Sequence, residues 1–197
     1  MADVQAPVVR CQIDRLTVVA GPKGVGKSWF IRRLAKNESL RERLGVPRFA
    51  RAISASQVDS SPLAGSFEHV VLHYDILRRC GRAGPEYDRD DAMRILGCAT
   101  SITFLTLRTS PERLRLQLER KVRKRATHRW LEQLRERYSD ERFLESSYER
   151  WFDFIARYQA VTVGSWLVDA ADDFAVSPLA AGSSARTPAA PPGVTSR

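Results

Sequence analysis

Short runs of apolar, often β-branched residues alternate along this chain with stretches whose apolar positions recur every three or four residues. Leu16-Thr17-Val18-Val19-Ala20 is the first such run and has the length of a buried strand. Phe30, Ile31 and Leu34 then recur at helical spacing. Further strands are predicted at 48–53, 69–75, 101–107 and 165–169. Between them, a helix is predicted to begin near Arg89-Asp90-Asp91 and to run through Ala92, Met93, Ile95 and Leu96. Another opens at Ser110-Pro111, with Ser110 as N-cap and Pro111 at the first helical position, and carries a stripe of Leu114, Leu118 and Val122. Two more follow, marked by Trp130, Leu131, Leu134 and Tyr138, and by Leu144, Trp151, Phe154, Ile155 and Tyr158. Alternating β and α elements predict an α/β fold, a mainly parallel sheet with helices on both faces.

The pattern also sets the domain limits. From residue 176 to 197 the chain is rich in Pro, Ala, Ser, Gly and Thr and has no apolar period, so it reads as a disordered tail. Residues 1–13 read as an N-terminal extension, which leaves one domain over 14–175. No apolar run approaches the ~20 residues that span a membrane. The N-terminal residues lack the charged-then-apolar pattern of an export signal, and Cys11, Cys80 and Cys98 are too scattered for a disulfide framework or a CxxC pair. The expected compartment is therefore the cytoplasm, with Cys98 expected as a small core residue.

Residues 21–28 carry the strongest chemical signal. They read GPKGVGKS, a G-x-x-x-x-G-K-S loop placed between a predicted strand and a predicted helix. Gly21 and Gly26 allow a tight turn and close backbone approach, so the N–H groups of Pro22-Lys23-Gly24-Val25 and the residues after them, proline excepted, can turn inward onto anionic oxygens. The start of the next helix adds partial positive charge. In this reading Lys27 reaches the β- and γ-phosphates of a nucleotide and the Ser28 hydroxyl ligates Mg²⁺.

Asp75 ends the 69–75 strand, where the carboxyl ends of parallel strands border a ligand crevice. It is a candidate to organise Mg²⁺ or to accept a proton from an attacking hydroxyl; the alternative is a helix cap. His73, two residues earlier on the same strand face, reads as a buried, hydrogen-bonded histidine, and Arg78 and Arg79 as possible contacts to an anion. Asp90 and Asp91 read as caps, and the aromatic residues 143–158 as core.

Charge adds one more feature. The formal net charge is +9, and residues 108–137 hold eleven Lys and Arg against four Glu. Charges of one sign crowded together repel unless an anion lies nearby. The segment at about 120–137 is therefore expected to form a basic helical lid, with Arg120, Arg123 and Arg125 as candidates to stabilise a transferring phosphoryl group. A grip on a polynucleotide backbone would use the same charge.

GPKGVGKS, the strand ending in Asp75 with arginines just after it, and SITFLTLRTSPERLRLQLERKVRKR together resemble small P-loop kinases of the nucleoside-monophosphate-kinase-like group. The resemblance spans roughly residues 14–172. It implies a P-loop NTPase fold with a five-stranded parallel core, ATP and Mg²⁺ as cofactors, and phosphoryl transfer to a small acceptor, with Lys27 and lid arginines on the transferring group. Where that group carries Asp-Gly-Phe-Pro-Arg, this chain reads Asp75-Ile-Leu-Arg78-Arg79. A monophosphate acceptor therefore does not follow, and sugars, glycan precursors and other small alcohols stay open. The guanine-reading Asn-Lys-x-Asp of regulatory GTPases is absent. A nucleotide-binding regulatory or nucleic-acid-associated NTPase remains the alternative.

Overall fold

The computed structural model describes residues 11–49, 52–61, 63–78, 80–81, 84–124, 138 and 140–179. Its centre is β1, Cys11–Gly21. Residues 16–21 are buried without a break, and since successive side chains of a strand point to opposite faces, both faces of β1 are covered. That is why the sequence shows a continuous apolar run there rather than an alternation.

β1 lies between β3, Gly65–Asp75, and β6, Ala99–Arg108. β2, Ala52–Ser54, pairs outside β3, and β7, Thr162–Asp169, pairs outside β6. These five strands are mutually parallel. A sixth, β8 at Ala175–Pro178, closes the β7 edge as an antiparallel hairpin partner. The sheet thus has six strands in the order β2-β3-β1-β6-β7-β8, not five. The extra strand lies where the tail was expected to begin. It is short, mostly exposed and contains Pro178, all of which an edge strand tolerates. Residues 180–197 lie outside the described residues. A separate two-stranded ribbon pairs β4, Cys80–Gly81, with β5, Gly84–Pro85.

The helices are α1 (Lys27–Lys36), α2 (Glu38–Leu44), α3 (Ala55–Ser60), α4 (Pro111–Lys124) and α5 (Glu141–Ala156). The stretch Asp91–Cys98 winds as a 3-10 helix, with Asp90 as its cap: the Asp90 carboxylate accepts from the Ala92 amide at 3.1 Å. Ser110 caps α4 as expected, accepting from the Arg113 amide at 3.3 Å. The expected helix around Trp130, Leu131 and Leu134 lies outside the described residues.

The aromatic residues of α5 are core. Trp151 is fully buried, stacks on Tyr74 at 5.5 Å and donates its indole N–H to Thr106 Oγ1 at 2.9 Å. Tyr148 donates to the Leu107 carbonyl at 3.0 Å. Each large ring thus buries its apolar body and still satisfies its polar end. Cys98 packs against the core but is only half-buried, beside Cys11. Burial and the neighbouring Cys98 push the Cys11 thiol up to about 11.

Candidate functional site

The last residue of β1 opens the 21–28 loop. Gly21 has φ +149°, and a Cβ there would stand 2.8 Å from the Leu107 carbonyl oxygen on the adjoining strand. At Gly26 φ is +106°, and a Cβ would meet the ring of Phe174 at 3.1 Å. Both positions therefore require glycine for conformation, and Gly21 for space as well. Gly26 is also the N-cap of α1, so no side chain caps that helix, and its first turn holds no acid. The positive end of the helix dipole therefore meets no acid from the helix's own first turn.

Lys27 is only 4% exposed. Its ammonium folds back over the loop, donating to the carbonyls of Gly21 at 2.6 Å and Pro22 at 2.8 Å. A buried ammonium must find such acceptors, and the carbonyls hold it directly above the loop.

Beside the loop lies a cavity of about 800 Å³. Lys23, Gly24, Gly26, Lys27 and Ser28 form one wall. Asp75 and His73 enter from the end of β3, Ser54 and Ser56 from the start of α3, and Gln117 and Arg120 from α4. Asp75 also accepts from the Leu77 amide at 3.1 Å, so the acid both closes a turn and faces the cavity. His73 is half-buried rather than buried, and its Nε2 lies 3.5 Å from Ser28 Oγ.

Arg78 lines the same cavity, yet its charge is engaged inside the protein. It forms ion pairs with Asp59 and, through Nε at 3.0 Å, with Asp90. Asp90 is 2% exposed and also accepts from the Tyr74 hydroxyl at 3.0 Å. Burial, reinforced by Asp90, pushes the Tyr74 hydroxyl far above its ordinary range, so it remains a donor. The Arg78–Asp90–Tyr74 cluster therefore fixes the turn that follows Asp75. Arg79 and Arg125 lie outside the described residues. Arg123 lies in the last turn of α4, and Arg120 lines the cavity.

Periodicity missed several cavity residues. Trp29 and Arg32 stand on the exposed side of α1, which the apolar spacing of Phe30, Ile31 and Leu34 does not address. Ser54 and Ser56 lie just past the strand predicted at 48–53; Ser54 with Gln57 is a capping box, a signal legible in ISASQ. Tyr138, buried, donates its hydroxyl to the Lys23 carbonyl at 3.0 Å and so fastens the loop from the far end of the basic segment.

Among the described residues no group of three or more His, Cys, Asp or Glu could hold a metal ion by itself. Mg²⁺ does not need one: it takes one or two protein ligands and fills its octahedron with water and phosphate oxygens. Ser28 and Asp75 on one cavity fit that donor set. No helix among the described residues is long and apolar enough to cross a membrane. Comparison with models of known protein families finds no match, and no curated protein matches the chain.

Proposed function

We propose that this chain has a P-loop NTPase fold and is a kinase that transfers the γ-phosphate of Mg-ATP to a small-molecule, sugar or glycan-precursor acceptor. The observation that carries this reading is the convergence on one cavity of the glycine-kinked loop with Lys27 and Ser28, the strand-end acid Asp75, and the cation Arg120. The parallel order β2-β3-β1-β6-β7, with the loop after the central β1, is compatible with it.

In this reading the loop amides and Lys27 hold the β- and γ-phosphates. Ser28 and Asp75 hold Mg²⁺, which when bound neutralises phosphate charge. Asp75 is also within the cavity to take a proton from an acceptor hydroxyl. Arg120 supplies positive charge as negative charge spreads over the transferring group. Phosphoryl transfer asks for positioning and charge compensation more than for covalent chemistry, and these residues offer both.

The charge of residues 108–137 favours one other reading, a nucleic-acid-associated NTPase. A screen of ATP turnover across sugars, nucleosides, other small alcohols and polynucleotides separates the two. Turnover stimulated by one small acceptor supports the kinase. Stimulation by RNA or DNA alone, with binding that weakens steeply in salt, supports the alternative.

A further inference from the structure

Trp29 follows Ser28 directly and is 45% exposed, unusual for a large apolar ring. Phe174, in the turn between β7 and β8, stacks on it with centroids 4.6 Å apart and planes 17° from parallel. Phe174 also stacks on Phe30 at 5.6 Å and lies against Gly26 of the loop. To put it there, the chain holds Asp173 and Phe174 at positive φ, 38° and 60°. That conformation is uncommon for non-glycine residues: Asp tolerates it, while a bulky Phe adopts it rarely.

Arg33 ties this turn to α1. Its guanidinium donates to both the carbonyl and the carboxylate of Asp173, each at 2.9 Å, and lies 5.4 Å from the Trp29 ring centre. A strained turn is thus clamped so that one aromatic ring backs another at the lip of the cavity. Trp29 lines that cavity together with Gly26, Lys27 and Ser28. It also lines an adjoining groove of about 630 Å³ along α1, with Arg32 and Arg33.

We propose that Trp29, backed by Phe174, is a stacking platform for the base of a nucleoside triphosphate. This rests on the nucleotide reading above: phosphates held at Gly26–Ser28 leave the sugar and base to run out along the cavity wall. Trp29 is the aromatic residue next to the loop on that wall. Stacking accepts any base, because each has a π-face. The platform therefore confers affinity for a nucleotide over bare polyphosphate with little choice between adenine and guanine. Phe174 acts through Trp29 and is a positioning residue.

Calorimetric titration tests this with Mg-ATP, Mg-GTP and magnesium tripolyphosphate. Trp29→Ala should weaken both nucleotides about tenfold or more and leave tripolyphosphate unchanged. Trp29→Phe should stay near the parent for all three, and Phe174→Leu should fall between. Melting curves for each variant check that the fold persists. Equal affinity of Trp29→Ala and the parent for Mg-ATP overturns the platform while leaving the kinase reading intact, and so does a loss of equal size for tripolyphosphate. A parent chain that binds tripolyphosphate but neither nucleotide more tightly also overturns the platform. A parent that binds none of the three overturns the nucleotide reading and the platform with it.

Discussion

Gly21 and Asp75 are register partners at the carboxyl ends of two neighbouring parallel strands. One is the first residue of the loop and the other is the acid that faces it across the sheet. Their separation is set by strand pairing, ~4.8 Å between backbones, and the Ile76 amide adds a bond to the Gly21 carbonyl at 3.3 Å. Neither residue depends on a mobile loop for its place, so a group held by the loop meets the acid in a fixed geometry.

That rigidity makes Asp75→Asn a clean test. An asparagine Oδ1 still accepts from the Leu77 amide, so the turn that Asp75 now closes at 3.1 Å survives. Only the negative charge goes. Turnover should fall by about a hundredfold or more while ATP affinity changes modestly, because the loop amides still hold the phosphates. Steady-state kinetics beside nucleotide titration checks it; near-normal turnover would leave Asp75 as a turn residue.

Lys27→Ala should abolish turnover and weaken Mg-ATP binding at least about tenfold, with the fold retained. The reason for the last clause is specific. The Gly21 carbonyl keeps the Ile76 amide and the Pro22 carbonyl keeps the Val25 amide, both at 3.3 Å, when the ammonium is removed. Neither of these carbonyls loses its sole donor, so the stability cost should stay below about 2 kcal/mol. Thermal melting and titration on the same sample check both halves.

Much of the frame that these two variants probe was legible in the residues. A continuous apolar run before GPKGVGKS and helical spacing after it placed the loop correctly between β1 and α1. Asp75 was readable because a mainly apolar strand that ends on an acid makes that acid conspicuous. Arg78 was not. Its proximity to Asp75 in sequence suggested a ligand contact, whereas its partners Asp59 and Asp90 come from other elements and only the fold brings them together. β8 was hidden because an edge strand bonded on one side needs no apolar alternation. His73 looked like a buried residue from its strand pattern, yet it is half-buried and lines the cavity beside the loop.

A pH prediction follows from His69, also on β3. Its Nε2 lies 3.0 Å from Thr17 Oγ1. Burial lowers its pKa from the ordinary 6.5, the Arg15 charge acts in the same direction, and the Arg48 backbone and Glu68 oppose them. Below pH 6.5 the unfolded chain takes up this proton more readily than the folded one. Stability is therefore present above 6.5 and is lost as pH falls from there through the lower folded value. Urea midpoints between pH 7 and 5 should decline, and His69→Gln should flatten that part of the slope. An unchanged slope in the variant would assign the acid sensitivity to other groups.

Arg120 decides between the two functional readings, because it is a cation of the basic segment placed at the cavity. If the segment closes over a transferring phosphate, its arginines matter most when charge spreads in the transition state. Arg120→Ala should then cut turnover about a hundredfold with little change in ATP affinity, since ground-state binding is the work of the loop. Arg123→Ala and Arg125→Ala should differ from it and from each other, each position having its own geometry toward one small target. A polynucleotide grip predicts the opposite pattern. There the three changes act alike, each weakening RNA or DNA binding and reducing its salt slope by about one unit. Lysine in place of Arg120 sharpens the contrast: a planar fork is needed to span two oxygens of one phosphoryl group, whereas a backbone contact accepts either cation. Arg120→Lys should therefore stay impaired in a kinase and recover in a nucleic-acid binder. Turnover and polynucleotide binding measured on the same four variants give the answer, and equal small losses with Lys rescue would overturn the kinase.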